Sequence, residues 1–149
     1  MSLQELLVED LKAAMRQNDE LRRSTIRYMR AAIHNEEIAQ LNKTLDDDGV
    51  LSVLARLAGQ HRESITQFTQ GNRPELAARE EAELAIVREY LPQQLTLDEI
   101  TRLAREAIAE VGAKAPNEMG KVMGRLMPKV KGRADGSQVS RIVKELLAG

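Results

Sequence analysis

Apolar residues recur along this chain at intervals of three and four, the spacing that lines one face of an α-helix. At the start, Leu3, Leu6, Leu7, Leu11, Ala14 and Met15 keep that period, and Ser2 followed by Glu5 forms a capping-box signature. The pattern predicts a first helix over residues 3–17, broken by Asn18-Asp19, which offers a new N-cap. A second helix is expected over residues 20–40, with Leu21, Thr25, Tyr28, Met29 and Ala32 along its inner side. Asp46-Asp47-Asp48-Gly49 reads as a turn and a cap for a third helix with an inner stripe of Leu54, Leu57, His61, Ile65 and Phe68. Gly71 ends it, and Pro74 restarts a fourth helix running to Glu89 or close to it.

Tyr90-Leu91-Pro92 closes that helix, since the residue before a proline avoids α geometry, and it marks the clearest domain boundary. Beyond it Thr96 and Glu99 repeat the capping box, and Gly112 ends the fifth helix. Asn117 is expected to cap a short helix reaching Met127, with Pro128 as its stop. Asp135 and Gln138 should open a last helix ending at Leu147. The fold class this predicts is all-α.

Composition supports that reading. Phe68, Tyr28 and Tyr90 are the only aromatic residues, so the core must be built from Leu, Ile, Val, Met and Ala, a helix-favouring set. The absence of cysteine excludes disulfides, thiolate metal sites and a thiol nucleophile. The first residues mix apolar and charged positions, with no secretory h-region and no 18-residue apolar run anywhere, so a cytoplasmic protein is expected.

The net charge of −1 hides an asymmetry. Residues 1–111 carry 14 Lys+Arg against 20 Asp+Glu, or −6, whereas residues 112–149 carry 8 against 3, or +5. The tail should attract a polyanion that the front repels. Its most unusual stretch is Met119 to Gly136. Wound as a helix, Met119, Val122, Met123, Leu126 and Met127 form an apolar arc, with Gly120 and Gly124 flanking it and Lys121 and Arg125 opposite. Two mid-helix glycines cost roughly 2 kcal/mol against alanine, which predicts a backbone passing close by, from a neighbouring helix or a ligand. Gly132 is grouped with them as a close-approach position. Lys129, Lys131 and Arg133 follow in a glycine-punctuated turn, and Arg141 and Lys144 share a face of the last helix. Lys121, Arg125, Lys129, Lys131, Arg133, Arg141 and Lys144 are thus candidate phosphate contacts, aided by turn amides and a helix N-terminus. The plainer alternative is a helix–turn–helix corner with a basic solvent face.

The runs LKAAMRQND…RRSTIRYMRAAIHNEEI, HRESITQF, EEAELAIVREYLPQQL and MGKVMGRLMPKVKGRADGSQVSRIVKELL, in this order along essentially the whole chain, resemble the YqeY family. That family is related to the tail domain of the B subunit of Asp/Glu-tRNA amidotransferase. The resemblance implies a four-helix N-terminal unit, residues 1–92, followed by a small three-helix bundle, residues 93–149, similar to the amidotransferase tail. It also implies a tRNA-contacting role, with Gly120, Lys121, Gly124, Lys131, Gly132 and Asp135 matching the shared tail pattern. The implied function is a non-catalytic tRNA-binding accessory of aminoacylation or transamidation. A protein–protein adaptor, docking on an amidotransferase or aminoacyl-tRNA synthetase through the Met-rich arc, is the alternative. A third is an accessory to carbon–nitrogen ligase activity.

Competing chemistry is weak. Arg23, Arg27, Arg30 and His34 share one face of the second helix, which could extend the RNA surface but is read here, with Glu36 and Glu37 close by, as a solvent face pairing with the acidic N-terminal helices. His61 lies on an apolar stripe, where a hydrogen-bonded core histidine is expected. His34 has no partners suggesting a triad. Aligning Gly49 to the sixth position of a calcium loop puts Ala55 where the bidentate glutamate belongs, so that match fails. No Walker loop, metal-ligand spacing or Gly/Ser-rich amidase loop is present. No cofactor, no metal and no catalytic residue are expected.

Overall fold

A computed structural model describes all 149 residues as seven α-helices and one 3₁₀ turn, without strands. The chain divides into two compact units, Met1–Leu91 and Pro92–Gly149. No helix is long and apolar enough to cross a membrane.

The first unit holds α1 (Leu3–Arg16), α2 (Glu20–Ala39), α3 (Asp47–Gln70) and α4 (Pro74–Arg88). Local chemistry sets its helix starts. Ser2 and Glu5 form the capping box of α1, while Asp19 and Asp46 accept backbone N–H groups at the starts of α2 and α3. Asn18 takes a left-handed φ of 54°, the sharp reversal that separates α1 from α2. Leu7, Ile26, Met29, Val50, Leu54 and Val87 are fully buried and build the core. The inner face of α2 differs from expectation. Ile26 and Ile33 are buried, whereas Tyr28 is 56% exposed, because it lies ~100° round the helix from Met29. Tyr90 follows α4 and is buried, its hydroxyl donating to the Asp10 carboxylate of α1.

The second unit holds α5 (Leu97–Val111), the 3₁₀ turn Pro116–Glu118, α6 (Met119–Val130) and α7 (Gly136–Ala148). Thr96 and Glu99 form the expected capping box, and Gly112 ends α5 at a left-handed φ of 67°. Ile100, Ala104, Val122, Leu126, Val130, Val139 and Val143 are buried to 1% exposure or less.

Two expectations about α6 fail. Asn117 does not cap it, since that residue lies within the 3₁₀ turn and α6 starts without a side-chain cap. Pro128 does not stop it, because the helix continues to Val130. Proline deletes one hydrogen bond to the carbonyl four residues back, that of Gly124. The remaining turn is held by fully buried Val130, by Lys131 N–H on Met127 at 2.9 Å, and by Arg133 N–H on Val130 at 2.8 Å. Tertiary burial outweighs the local breaker.

Candidate nucleic-acid interface

All seven candidate cations of the second unit are exposed. They fall into three groups by element. On α6, Lys121, Arg125 and Lys129 recur every four residues and form one row. Lys131 and Arg133 project from the turn after it, and Arg141 and Lys144 lie on the exposed side of α7.

The cations differ in how free they are. Glu110 of α5 pairs with Arg125 at 3.1 Å and with Lys129 at 3.4 Å. Lys121, Lys131, Arg133, Arg141 and Lys144 make no salt bridge within 4.0 Å. Glu118, near enough to feel Lys121 and Lys114, is already engaged. Its carboxyl is held below the usual glutamate range, first by the backbone N–H groups of Lys114 and Ala115. Glu99 is likewise lowered, first by the cap at Thr96 and then by the field of Arg133. By unit, residues 92–149 carry 10 Lys+Arg against 7 Asp+Glu, or +3, because α5 brings Asp98, Glu99, Glu106 and Glu110 with it.

The basic turn is rigid. Gly132 is buried at a left-handed φ of 75°, a geometry glycine adopts without strain. Its carbonyl accepts Gln94 Nε2 at 2.9 Å, and the Arg133 carbonyl accepts Leu95 N–H at 2.8 Å. Backbone conformation by itself is thus a sufficient reason for glycine at 132. Three of the turn amides are also spent internally. Lys131 N–H bonds Met127, while Arg133 and Ala134 both bond Val130. At the start of α7, Asp135 accepts Ser137 N–H at 3.2 Å, so a carboxylate already occupies that helix N-terminus. These bonds leave fewer turn amides for a phosphate than the sequence suggested, and the exposed side chains are the main candidate contacts.

Gly120 and Gly124 are exposed, and a Cβ at either would meet nothing within 4 Å. No neighbouring helix seats against them, which removes one of the two reasons expected for these glycines. Together with exposed Pro128 they form a strip of α6 with no long side chain, bordered by the Lys121, Arg125 and Lys129 row. Met119, Met123 and Met127 are half-buried against the core of this unit.

In the first unit, Arg23, Arg27 and Arg30 make no salt bridge, and of the stripe expected to pair with acids only His34 does so, its Nδ1 3.9 Å from Glu37. Glu36 instead pairs with Arg56, and Glu37 accepts Leu45 N–H and Gln4. The carboxyl of Glu37 is lowered by these bonds in that order. His61 is buried as expected, and its Nδ1 sits 2.5 Å from Glu80. Folding also brings Glu83 to it, so a His–Glu–Glu cluster exists where no ligand spacing was legible.

Over residues 4–147 the chain matches the family described as Yqey-like protein. A protein of Saccharomyces cerevisiae (strain ATCC 204508 / S288c), named altered inheritance of mitochondria protein 41, mitochondrial, is 30% identical over 126 residues, covering 81% of this chain and 68% of that protein. The protein of the same name from Lachancea thermotolerans is 37% identical over 111 residues, 74% of this chain and 54% of its own length. That from Vanderwaltozyma polyspora is 36% identical over 85 residues, 57% and 46% of the respective lengths. The chain therefore spans about half the length of these last two relatives.

Proposed function

The chain belongs to the YqeY-like family, and on that premise we propose that it is a non-catalytic accessory protein that binds tRNA through the cations of its C-terminal unit. One observation carries this reading. Lys121, Lys131, Arg133, Arg141 and Lys144 stand exposed without a carboxylate partner on a unit of net positive charge. Exposed, uncompensated cations gain most from a polyanion, because binding releases the counterions condensed on its phosphates. The bare strip of α6 beside the lysine–arginine row lets a ligand backbone reach the helix surface. The resemblance of the C-terminal sequence run to the amidotransferase tail favours tRNA over other RNA, and a role in aminoacylation or transamidation. The compartment would be that of the translation machinery, the cytoplasm, with the yeast relatives bearing a mitochondrial name.

The protein-adaptor alternative has less support, since the methionine arc meant for docking is half-buried against its own core. A pull-down that survives nuclease treatment and is insensitive to salt would favour it. Activation of amide transfer on mischarged tRNA is the third reading, and an amidotransferase assay unchanged by added protein would dismiss it.

The decisive measurement is tRNA binding by the full chain across a salt series. Four to six phosphate contacts predict a slope of log K against log salt of roughly −3 to −5. Replacing Lys121, Lys131 and Arg133 with alanine should weaken binding and flatten that slope. Unaltered affinity and slope in the triple variant would sink the assignment of this face.

A further inference from the structure

The geometry points to a divalent transition-metal site in the N-terminal unit, built by His61 of α3 with Glu80 and Glu83 of α4. Nothing in the RNA reading requires it. His61 Nδ1 lies 2.5 Å from Glu80 Oε2 and 3.9 Å from Glu83 Oε2, and all three atoms fall within 4.8 Å of one another. Ligands on a tetrahedral zinc ion stand about 2.0–2.2 Å from the metal, hence about 3.4 Å apart. The short separation must open and the longer ones close by about an ångström, within the reach of glutamate rotamers.

The environment suits such an ion. The side chains are 9%, 22% and 24% exposed, so charge is felt there more strongly than at an open surface. They line a pocket of about 250 Å³ with Tyr28, Gln60 and Ser64, which leaves room for a water as fourth ligand. Two carboxylates this close repel each other, and one imidazole offsets them incompletely. Exposed Arg79 bonds Glu83 at 3.1 Å from its own helix. The second ring nitrogen, Nε2, is buried without a partner on a residue 8% exposed. A doubly charged ion balances both glutamates at once. Coordination through Nδ1 leaves the neutral ring's one proton on Nε2, and any further proton held between Nδ1 and Glu80 leaves for solvent. An imidazole with two carboxylates favours zinc-like ions over magnesium, which prefers oxygen and retains its waters.

The test is isothermal titration of the full-length protein with zinc chloride, beside thermal melts with and without zinc. We expect one zinc per chain, proton release between buffers of different ionisation enthalpy, and a raised Tm, since an ion bound across α3 and α4 favours the folded state. Glu83→Gln and Glu80→Gln should each weaken zinc binding about tenfold or more, the scale seen when metal sites lose a supporting group. Glu83→Gln is the safer variant, because Glu83 is partly exposed and its loss leaves the His61–Glu80 bond in place. His34→Ala, at the other histidine, should leave binding unchanged. Absence of zinc binding, equal affinity for zinc and magnesium, or full affinity in both glutamine variants would overturn the site.

Discussion

Gly124 sits in the middle of α6 with open space where a Cβ would point. Alanine there is expected to stabilise the protein by about 0.5–1 kcal/mol, because glycine loses more conformational freedom on folding. If an RNA backbone lies along the strip from Gly120 to Pro128, the same methyl group intrudes on it. Gly124→Ala should therefore raise Tm in a thermal melt while weakening tRNA binding several-fold, a pairing that ordinary surface solvation does not produce. Higher stability with unchanged affinity would show that the strip faces water. Tyr90 makes the second argument at this scale. Its hydroxyl is pushed well above the usual tyrosine range, first by burial and then by its hydrogen bond to Asp10, whose charge opposes a phenolate. The fold thus favours the neutral form. That stability is complete below the unfolded value of about 10 and is lost as pH rises above it toward the folded value. Circular-dichroism melts should show Tm falling above about pH 10, and Tyr90→Phe should reduce that fall while costing about 1 kcal/mol at neutral pH. Parallel Tm–pH curves for the two proteins would contradict this assignment.

Helix ends in this chain are written locally where a side chain caps them and tertiarily where none does. Ser2 with Glu5 and Thr96 with Glu99 are visible in sequence because cap and partner are three residues apart, and both boxes form. The limits of α6 were not visible. Pro128 looks like a stop until buried Val130, two residues on, is known to anchor another half turn. Tyr28 fails for a related reason, since a helix with apolar residues on several sides can rotate, and packing chose Ile26 and Ile33. The Thr96 cap also touches the candidate interface. The residues just before it, Gln94 and Leu95, hold the carbonyls of Gly132 and Arg133. Thr96→Ala should cost about 1 kcal/mol and speed amide exchange at Leu95, whose N–H is donated to Arg133. Unaltered protection at Leu95 would separate the cap from the rigidity of the basic turn.

Charge is distributed on the scale of the whole chain, and here sequence and structure divide the information. Residues 1–91 carry 12 Lys+Arg against 16 Asp+Glu, or −4, and residues 92–149 carry +3, an opposition already visible in composition. Which cations are free was not visible. Glu110 and Arg125 are 15 positions apart on different helices, so their pairing follows from packing. The His61, Glu80 and Glu83 cluster stayed hidden for the same reason, its members being split between two helices. Glu110 therefore works against a polyanion twice, by its own charge and by occupying Arg125 and Lys129. Its side chain is 41% exposed, and exposed ion pairs of this kind contribute about 0–1 kcal/mol. Glu110→Gln should thus leave Tm nearly unchanged while tightening tRNA binding at low salt. It should also steepen the salt slope by about 1 for each cation that then gains a phosphate. Weaker binding, or a slope unmoved by the substitution, would mean that the α6 row lies off the path of the RNA and that the turn and α7 must hold it alone.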